Sequence, residues 1–182
     1  IGQYRALEET ATEMYKMQRR GELPLKVTHN DTKCNNVLFD KITGEYLCVI
    51  DLDTVMPGLV GHDFGDAIRF AANIANSAGE DEKDLARVGL DLDKFEAFSK
   101  GFTGKLKDVM TPAEKDTLAL GALTMTTECG LRFLTDYLSG DVYFKTAYPE
   151  HNLDRARCQL ALAKDMILKY DKMKAIVGKY AD

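Results

Sequence analysis

The sequence that decides the fold reads His29-Asn30-Asp31-Thr32-Lys33-Cys34-Asn35-Asn36 and continues into the apolar run Val37-Leu38-Phe39. A polar turn that contains a glycine, residues 40–45, separates this run from a second apolar run, residues 46–50, which ends at Asp51. Two short apolar runs on either side of such a turn predict a β-hairpin. The hairpin would hold Asp31 and Asn36 near its mouth and Asp51 at the end of its second strand, about one strand spacing away.

These three side chains have the chemistry that phosphoryl transfer from ATP requires. The reaction needs a carboxylate to orient and deprotonate the attacking hydroxyl, and it needs oxygen ligands to hold Mg²⁺ on the phosphates. Asp31 in the loop can supply the base, and Asn36 and Asp51 can supply oxygen ligands to one shared metal ion.

The rest of the chain has the apolar periodicity of helices. Residues 23–28 form a short extended run, residues 57–61 a loop, and residues 79–84 an acidic, exposed loop. Three-four spacing and capping residues predict helices over residues 3–20, over residues 63–76, after a cap at Asp93, from Thr111 to about Leu138, and from Asn152 onward. The predicted fold class is α+β and mostly helical, with a β-hairpin set on a helical body.

Composition narrows the range of functions. The chain has 182 residues, of which 45% are hydrophobic and 29% charged, as in a single globular domain with a sizeable core. The net charge is −5 and the basic residues are scattered, so we expect no nucleic-acid partner. No apolar run approaches the ~20 residues that span a bilayer, and no signal peptide opens the chain, so we expect a cytoplasmic protein without a membrane partner. The four cysteines lack metal-site spacing and predict reduced, mostly buried thiols.

The two segments also resemble a known superfamily. The pattern H-x-D-x-x-x-x-N, followed by an apolar strand and then Ile-Asp, resembles the catalytic and metal loops of protein-kinase-like enzymes. The first segment has no Arg directly before the Asp, and the second segment lacks D-F-G; both departures are usual in the aminoglycoside phosphotransferase and choline kinase branch. Longer stretches, Asp51 to Gly58, Asp63 to Arg69 and Arg132 to Tyr137, resemble bacterial N-acetylhexosamine 1-kinases, and the resemblance covers roughly residues 25 to 160.

The resemblance implies roles for four acidic or amide residues. Asp31 would be the catalytic base, and Asn36 and Asp51 would be the Mg²⁺ ligands. Asp53 would be a further metal ligand, a neighbour of the ligands, or only a residue that caps its loop. The implied cofactors are therefore Mg²⁺ and ATP, with ATP as the phosphoryl donor.

Other polar residues have a structural alternative beside a functional one. The resemblance implies that His29 holds the catalytic loop by hydrogen bonding and does not take the proton. It makes Arg132 the candidate for gripping the sugar, although Arg132 could equally be a solvated helix residue. We expect Asp63 and Asp66 to serve helix capping and local hydrogen bonding, and Arg69 to be a structural ion-pair partner.

No segment resembles the N-terminal lobe of a complete kinase. A strand Lys that pairs with the ATP phosphates, its Glu partner and a glycine-rich covering loop are not recognisable. We therefore interpret residues 1–182 as the C-terminal catalytic lobe of a protein-kinase-like fold, separated from its ATP-binding N-terminal lobe and inactive alone. The face that meets that lobe would lie near residues 4–17 and the hairpin, where we expect self-association or a crystal contact.

The function that we expect of the parent protein is ATP-dependent phosphorylation of the anomeric hydroxyl of N-acetylglucosamine or N-acetylgalactosamine. One alternative is a kinase for another small alcohol or for an aminoglycoside-like substrate. A second alternative, of another class, is a non-catalytic binding module that keeps the kinase fold.

Overall fold

The computed structural model describes residues 1–75 and 78–181, and helices make up most of it. The helices are α1 (Gly2–Arg5), α2 (Glu8–Arg19), α3 (Val60–Ala71), α4 (Leu92–Leu106), α5 (Pro112–Asp116), α6 (Leu118–Leu138) and α7 (His151–Ala181). The strands are β1 (Lys26–Thr28), β2 (Val37–Phe39), β3 (Tyr46–Val49) and β4 (Met56–Gly58). In this part of the chain, no helix combines the length and the apolar character needed to cross a membrane.

The strands form two small antiparallel sheets. Strands β2 and β3 make the predicted hairpin, with Val37 opposite Val49. Strands β1 and β4 pair with Thr28 opposite Met56, although the sequence around Pro57 predicts only a loop. This second pairing closes the chain around the hairpin, so the loop after β1 and the loop after β3 are brought side by side.

Helix α3 begins earlier than the sequence predicts. It starts at Val60, three residues before Asp63, and it therefore includes Gly61, which we expected in a loop. The helix ends at Ala71, and the predicted end at Asn76 lies outside the described residues. The early start of α3 goes with a close crossing of two helices. Gly61 and Gly65 of α3 lie directly against the backbone of Gly121 in α6.

The main core lies between α3, α4, α6 and α7. Phe64 of α3 is fully buried, and its ring centroid lies 5.3–5.7 Å from those of Phe95, Phe98 and Phe102 on α4. This aromatic cluster continues into the aliphatic contacts of α6 with α7. Because these apolar faces enclose each other, the helical body provides a rigid platform for the two small sheets.

Several helix ends differ from the sequence predictions. The first predicted helix is interrupted after Arg5 and resumes at Glu8. The carboxylate that caps α4 belongs to Asp91, whereas Asp93 lies in the first turn. The predicted capping box at Thr111 is confirmed, but the helix that it starts breaks at Thr117 into α5 and α6.

Some burial predictions are also corrected. Ile167 is exposed, although its spacing on α7 predicts burial. Residues 79–84 include the buried Glu82 and are therefore not a fully exposed loop. All four cysteines are free, but Cys34 and Cys48 are exposed, and only Cys129 and Cys158 are buried, which raises their thiol pKa values to about 12.

We predict that Gly65→Ala destabilises the protein by about 1–3 kcal/mol, because the added Cβ would overlap the Gly121 backbone. The matched control is Gly101→Ala on the exposed side of α4, where nothing lies within 4 Å of the new Cβ. That control should stabilise by roughly 0.5–1 kcal/mol through helix propensity. Urea unfolding of both variants measures the two effects, and equal stabilities would contradict the close helix crossing.

Candidate functional site

The loop after β1 is anchored by helix α3. The backbone N–H groups of His29 and Asn30 donate to the two carboxylate oxygens of Asp63, each at 2.8 Å. The hydroxyl of Thr32 donates to the backbone carbonyl of the same residue at 2.6 Å. The N-cap of α3 is Leu59, so the prediction that Asp63 caps the helix is wrong. Asp63 instead fixes the loop of residues 29–36, which we call the catalytic loop after the resemblance, from more than 30 residues away in the sequence.

The same loop is tied to the loop that follows β3. Asn30 has a left-handed backbone (φ 63°), and its side-chain amide donates to the carbonyl of Thr54 at 3.1 Å. The hydroxyl of Thr54 donates to the carbonyl of His29 at 2.7 Å. His29 Nε2 lies 3.1 Å from the carbonyl oxygen of Ile50, and it must carry the proton because a carbonyl only accepts. These are the contacts of a loop-holding residue.

Asp31 and Asn36 are in direct contact. The side-chain nitrogen of Asn36 donates to Asp31 Oδ2 and to the Asp31 backbone carbonyl, both at 2.8 Å. Asn36 is buried, whereas Asp31 is partly exposed. Both bonds use the side-chain nitrogen of Asn36 (Nδ2), and neither uses its side-chain oxygen (Oδ1).

Lys33 also contacts Asp31, although its place in the sequence predicted no role for it. Its ammonium nitrogen lies 2.7 Å from Asp31 Oδ2. Burial opposes ionisation of Asp31, but the hydrogen bonds from Lys33 and Asn36 outweigh it and hold the Asp31 pKa below its usual value. The hydrogen bond to Asp31 raises the pKa of Lys33, and the charges of Asp51 and Asp66 add to this effect. Asp31 is therefore an ionised carboxylate at neutral pH, as a base must be.

The loop after β3 presents Asp51 and Asp53 to solvent. Asp51 has a left-handed backbone (φ 65°, ψ 53°) and precedes the short 3-10 turn Leu52–Thr54. The backbone N–H of Ile50 donates to the backbone carbonyl of Asn36 at 2.9 Å, so the residue before Asp51 is joined to the catalytic loop. A non-glycine residue in this conformation is strained, and such strain is common at functional sites.

The donor atoms of this region suit a magnesium ion. Mg²⁺ prefers hard oxygen ligands, keeps several waters and takes only one or two carboxylates from a protein. The side-chain oxygen of Asn36 (Oδ1) and the exposed carboxylate of Asp51 meet that description. Within residues 1–75 and 78–181, no three His, Cys, Asp or Glu side chains form a metal-binding group.

A second polar region lies on α6. Arg132 is half exposed, with its guanidinium 5.7 Å from the ring centre of Tyr143 and 5.4 Å from that of Phe144. Its Nε lies 3.8 Å from Glu128 Oε1. These residues line a cavity of about 470 Å³ between α6 and the loop that follows it. Arg132 is thus part of a concave surface.

A largely buried ion-pair cluster, centred on Arg69, interacts with both the catalytic loop and the surroundings of Arg132. Arg69 is paired with Asp66 at 2.7 Å and with Glu80 at 3.0 Å, which confirms the structural ion pair predicted for it. Its charge helps to lower the pKa of Asp31. Desolvation raises the pKa of Glu128, and the Arg69 charge partly opposes this effect. The catalytic loop and the Arg132 cavity therefore lie within electrostatic reach of the same guanidinium.

The loop geometry, the hairpin and the helical body together define a kinase-like phosphotransferase. In agreement, the family model of the APH phosphotransferase enzyme family matches residues 3–98, just over half of the chain. The chain belongs to this family. Membership implies a protein-kinase-like fold and an ATP-dependent phosphotransferase activity, and members generally use ATP and Mg²⁺. The match includes the loops around Asp31 and Asp51 but ends within α4, before Arg132.

We predict that Asp63→Asn loosens the catalytic loop. In the wild type, each of the two backbone N–H groups donates to its own oxygen of Asp63, whereas an Asn side chain has only one acceptor oxygen. The amide hydrogens of His29 and Asn30 should therefore exchange faster in the variant. We expect a loss of about 1–3 kcal/mol of stability. Amide hydrogen exchange provides the measurement, and Asp93→Asn, an exposed carboxylate in the first turn of α4, provides the control with the same charge change. Unchanged exchange at residues 29 and 30 would contradict the anchoring role.

We predict that Lys33→Gln raises the pKa of Asp31, because the strongest interaction that lowers it is removed while burial remains. The wild-type pKa lies below the unfolded value of about 3.9, so the stabilisation is complete above that pH and is lost as the pH falls through the folded pKa. In the variant this loss should begin at a higher pH. Carboxyl ¹³C NMR titration measures the shift, with Lys41→Gln in the exposed hairpin turn as control. An unchanged Asp31 titration would refute the ion pair in solution.

Proposed function

We propose that this protein transfers the γ-phosphoryl group of ATP to a hydroxyl of a small sugar, namely the anomeric hydroxyl of N-acetylglucosamine or N-acetylgalactosamine. The observation that carries the proposal is the Asp31 carboxylate, which is kept ionised by Lys33 and oriented by Asn36 in a loop fixed to α3. This arrangement supplies the positioned base that the family's reaction requires.

In the proposed mechanism, Asp31 accepts a hydrogen bond from the acceptor hydroxyl and takes its proton as the oxygen attacks the γ-phosphorus of ATP. The bond from the γ-phosphorus to the bridging oxygen breaks in the same step, and ADP leaves with that oxygen. The hydrogen bond from Asn36 keeps the carboxylate oriented, and Lys33 balances its charge before the proton arrives. His29 holds the loop through its contact with the Ile50 carbonyl and takes no part in proton transfer.

We propose that Asn36 and Asp51 hold Mg²⁺, with Asp53 as a further ligand or a neighbour of the ligands. When bound, the metal ion would neutralise charge on the ATP phosphates. The chain's own contribution is to hold the two loops together through Asn30, Thr54 and the Ile50–Asn36 hydrogen bond.

The cavity beside Arg132 is the proposed acceptor site. Guanidinium N–H groups can donate to hydroxyl or acetamido oxygens, and the rings of Tyr143 and Phe144 offer apolar faces to the carbon skeleton of a sugar. Hydrogen-bond donors and apolar ring faces side by side suit a hydroxyl-rich sugar.

We also propose that an ATP-binding N-terminal lobe covers the hairpin, and that residues 1–182 act as the C-terminal catalytic lobe. Large apolar side chains are exposed on the strands and the turn of the hairpin, which favours a covering partner. They are Leu38, Phe39, Ile42, Tyr46, Leu47 and Val49. Without that lobe, we expect the 182-residue chain to be inactive as a kinase and prone to self-association there.

The proposed function is tested by a phosphotransfer assay on the chain joined to its ATP-binding lobe. The acceptor panel contains N-acetylglucosamine, N-acetylgalactosamine, choline, homoserine and an aminoglycoside. The methyl glycoside of N-acetylglucosamine, in which the anomeric oxygen is blocked, is the matched control and should give no product. Turnover of choline or an aminoglycoside in preference to both sugars would overturn the acceptor, and no turnover of any would favour a binding module.

In the same assay, we predict that Asp31→Asn lowers kcat by about 10²- to 10⁴-fold, because it removes the general base. Acceptor binding should change little, since the proton is taken in the transition state. Asp108→Asn, an exposed carboxylate after α4, is the control with the same charge change. A variant at position 31 that keeps most of its activity would show that positioning and metal alone carry the catalysis.

A further inference from the structure

The last turn of α6 contains a buried carboxylate that receives four N–H donors. The backbone amides of Val142 and Tyr143 donate to Asp136 Oδ1 at 3.0 and 2.9 Å. The backbone amide of Phe144 and the side-chain nitrogen of Asn152 donate to Oδ2 at 2.9 and 2.8 Å. Although burial opposes the charge, these donors hold the pKa of Asp136 below its usual value.

The three backbone amides are consecutive, so one side chain holds three successive residues of the loop. Residues 139–150 contain no helix or strand, and their amides do not form the hydrogen-bond ladder of regular structure. Asp141 has a left-handed backbone (φ 58°), and its N–H donates to the Asp136 carbonyl at 2.9 Å. Asn152 of α7 also donates to Asp141 Oδ1 at 2.8 Å. The carboxylate therefore joins the end of α6, the loop and the start of α7.

Packing does not fix the first part of this loop. Val142 and Tyr143 are 79% and 72% exposed. The Phe144 ring packs on Phe133 at 4.7 Å, whereas the Tyr143 ring lies on the outside against Phe144 and Arg132. Because an exposed aromatic ring is not held by burial, the position of Tyr143 beside the cavity depends on its backbone, and the backbone depends on Asp136.

We propose that Asp136 is a positioning residue for the acceptor cavity: it fixes the 141–144 loop so that Tyr143 and Phe144 form a wall facing Arg132. The identity of the bound ligand, an N-acetylhexosamine, rests on the proposed function. The fixing of the loop is independent of that function and is argued from the hydrogen bonds that Asp136 accepts. Ordering the loop in advance removes a cost that the acceptor would otherwise meet on binding.

The first test is amide hydrogen exchange on the 182-residue chain. In the wild type, the amides of residues 142–144 should exchange at least roughly tenfold more slowly than an unbonded loop amide. Asp136→Asn should remove this protection, while Asp171→Asn, an exposed carboxylate on α7, should leave it unchanged. Unprotected wild-type amides would overturn the proposal whether or not the variant folds, and so would a folded Asp136→Asn variant with unchanged protection.

The second test is a titration of the same variants with N-acetylglucosamine, followed by NMR. Asp136→Asn should weaken the affinity roughly tenfold. Tyr143→Ala should weaken it too, with amides 142–144 still protected. If Asp136 acts through the loop, the double variant should lose little beyond Asp136→Asn alone.

The outcomes separate the two proposals. A loosened loop with unchanged sugar affinity, or additive losses in the double variant, would overturn the positioning role of Asp136. A wild-type chain that binds no N-acetylhexosamine, but whose loop loosens in Asp136→Asn, would overturn the acceptor named under the proposed function and support the anchoring of the loop.

Discussion

The close crossing of α3 and α6 is the constraint on which the rest of the structure depends. Gly61 and Gly65 bring the α3 backbone directly against Gly121 of α6: a Cβ at Gly65 would overlap the Gly121 backbone, and a Cβ at Gly121 would overlap the Gly61 backbone. Helix α3 also carries Asp63, which anchors the catalytic loop, and α6 carries Arg132 and Asp136. The close crossing therefore joins the helix that anchors the catalytic loop to the helix that carries the cavity beside Arg132.

Charges of alternating sign lie between the catalytic loop and the cavity beside Arg132. Asp31 is paired with Lys33, and Asp66 with Arg69, whose guanidinium also contacts Glu80. The Arg69 pair is largely buried, so it is screened little by solvent and acts over a longer distance than an exposed pair. It stabilises the ionised form of Asp31 without touching it. The ionised form of Asp31 is thus supported by a contact with Lys33 and by the charge of the buried Arg69 guanidinium.

Carboxylates fix both functional loops by the same physical means. Asp63 accepts two consecutive backbone amides of the catalytic loop, and Asp136 accepts three in the loop beside Arg132. An ionised carboxylate makes stronger hydrogen bonds than a neutral acceptor, which suits segments that lack a ladder of their own. Each loop is thereby joined to one of the two helices that cross at the glycines.

The sequence by itself determined the local features. Alternation of apolar runs and a polar turn predicted the hairpin, Thr111 and Glu114 predicted the capping box, and the five-residue spacing put Asn36 in contact with Asp31. The tertiary structure alone decided that β1 pairs with β4, that Asp63 anchors the catalytic loop, and that Asp136 collects the amides after α6. The first group depends on periodicity and short-range hydrogen bonds, which a few neighbouring residues encode. The β1–β4 pairing and the Asp63 contacts join groups about 30 residues apart, so no run of neighbouring residues encodes them. The amides around Asp136 belong to a loop without periodicity, so no repeating pattern in the sequence predicts that they turn toward its carboxylate.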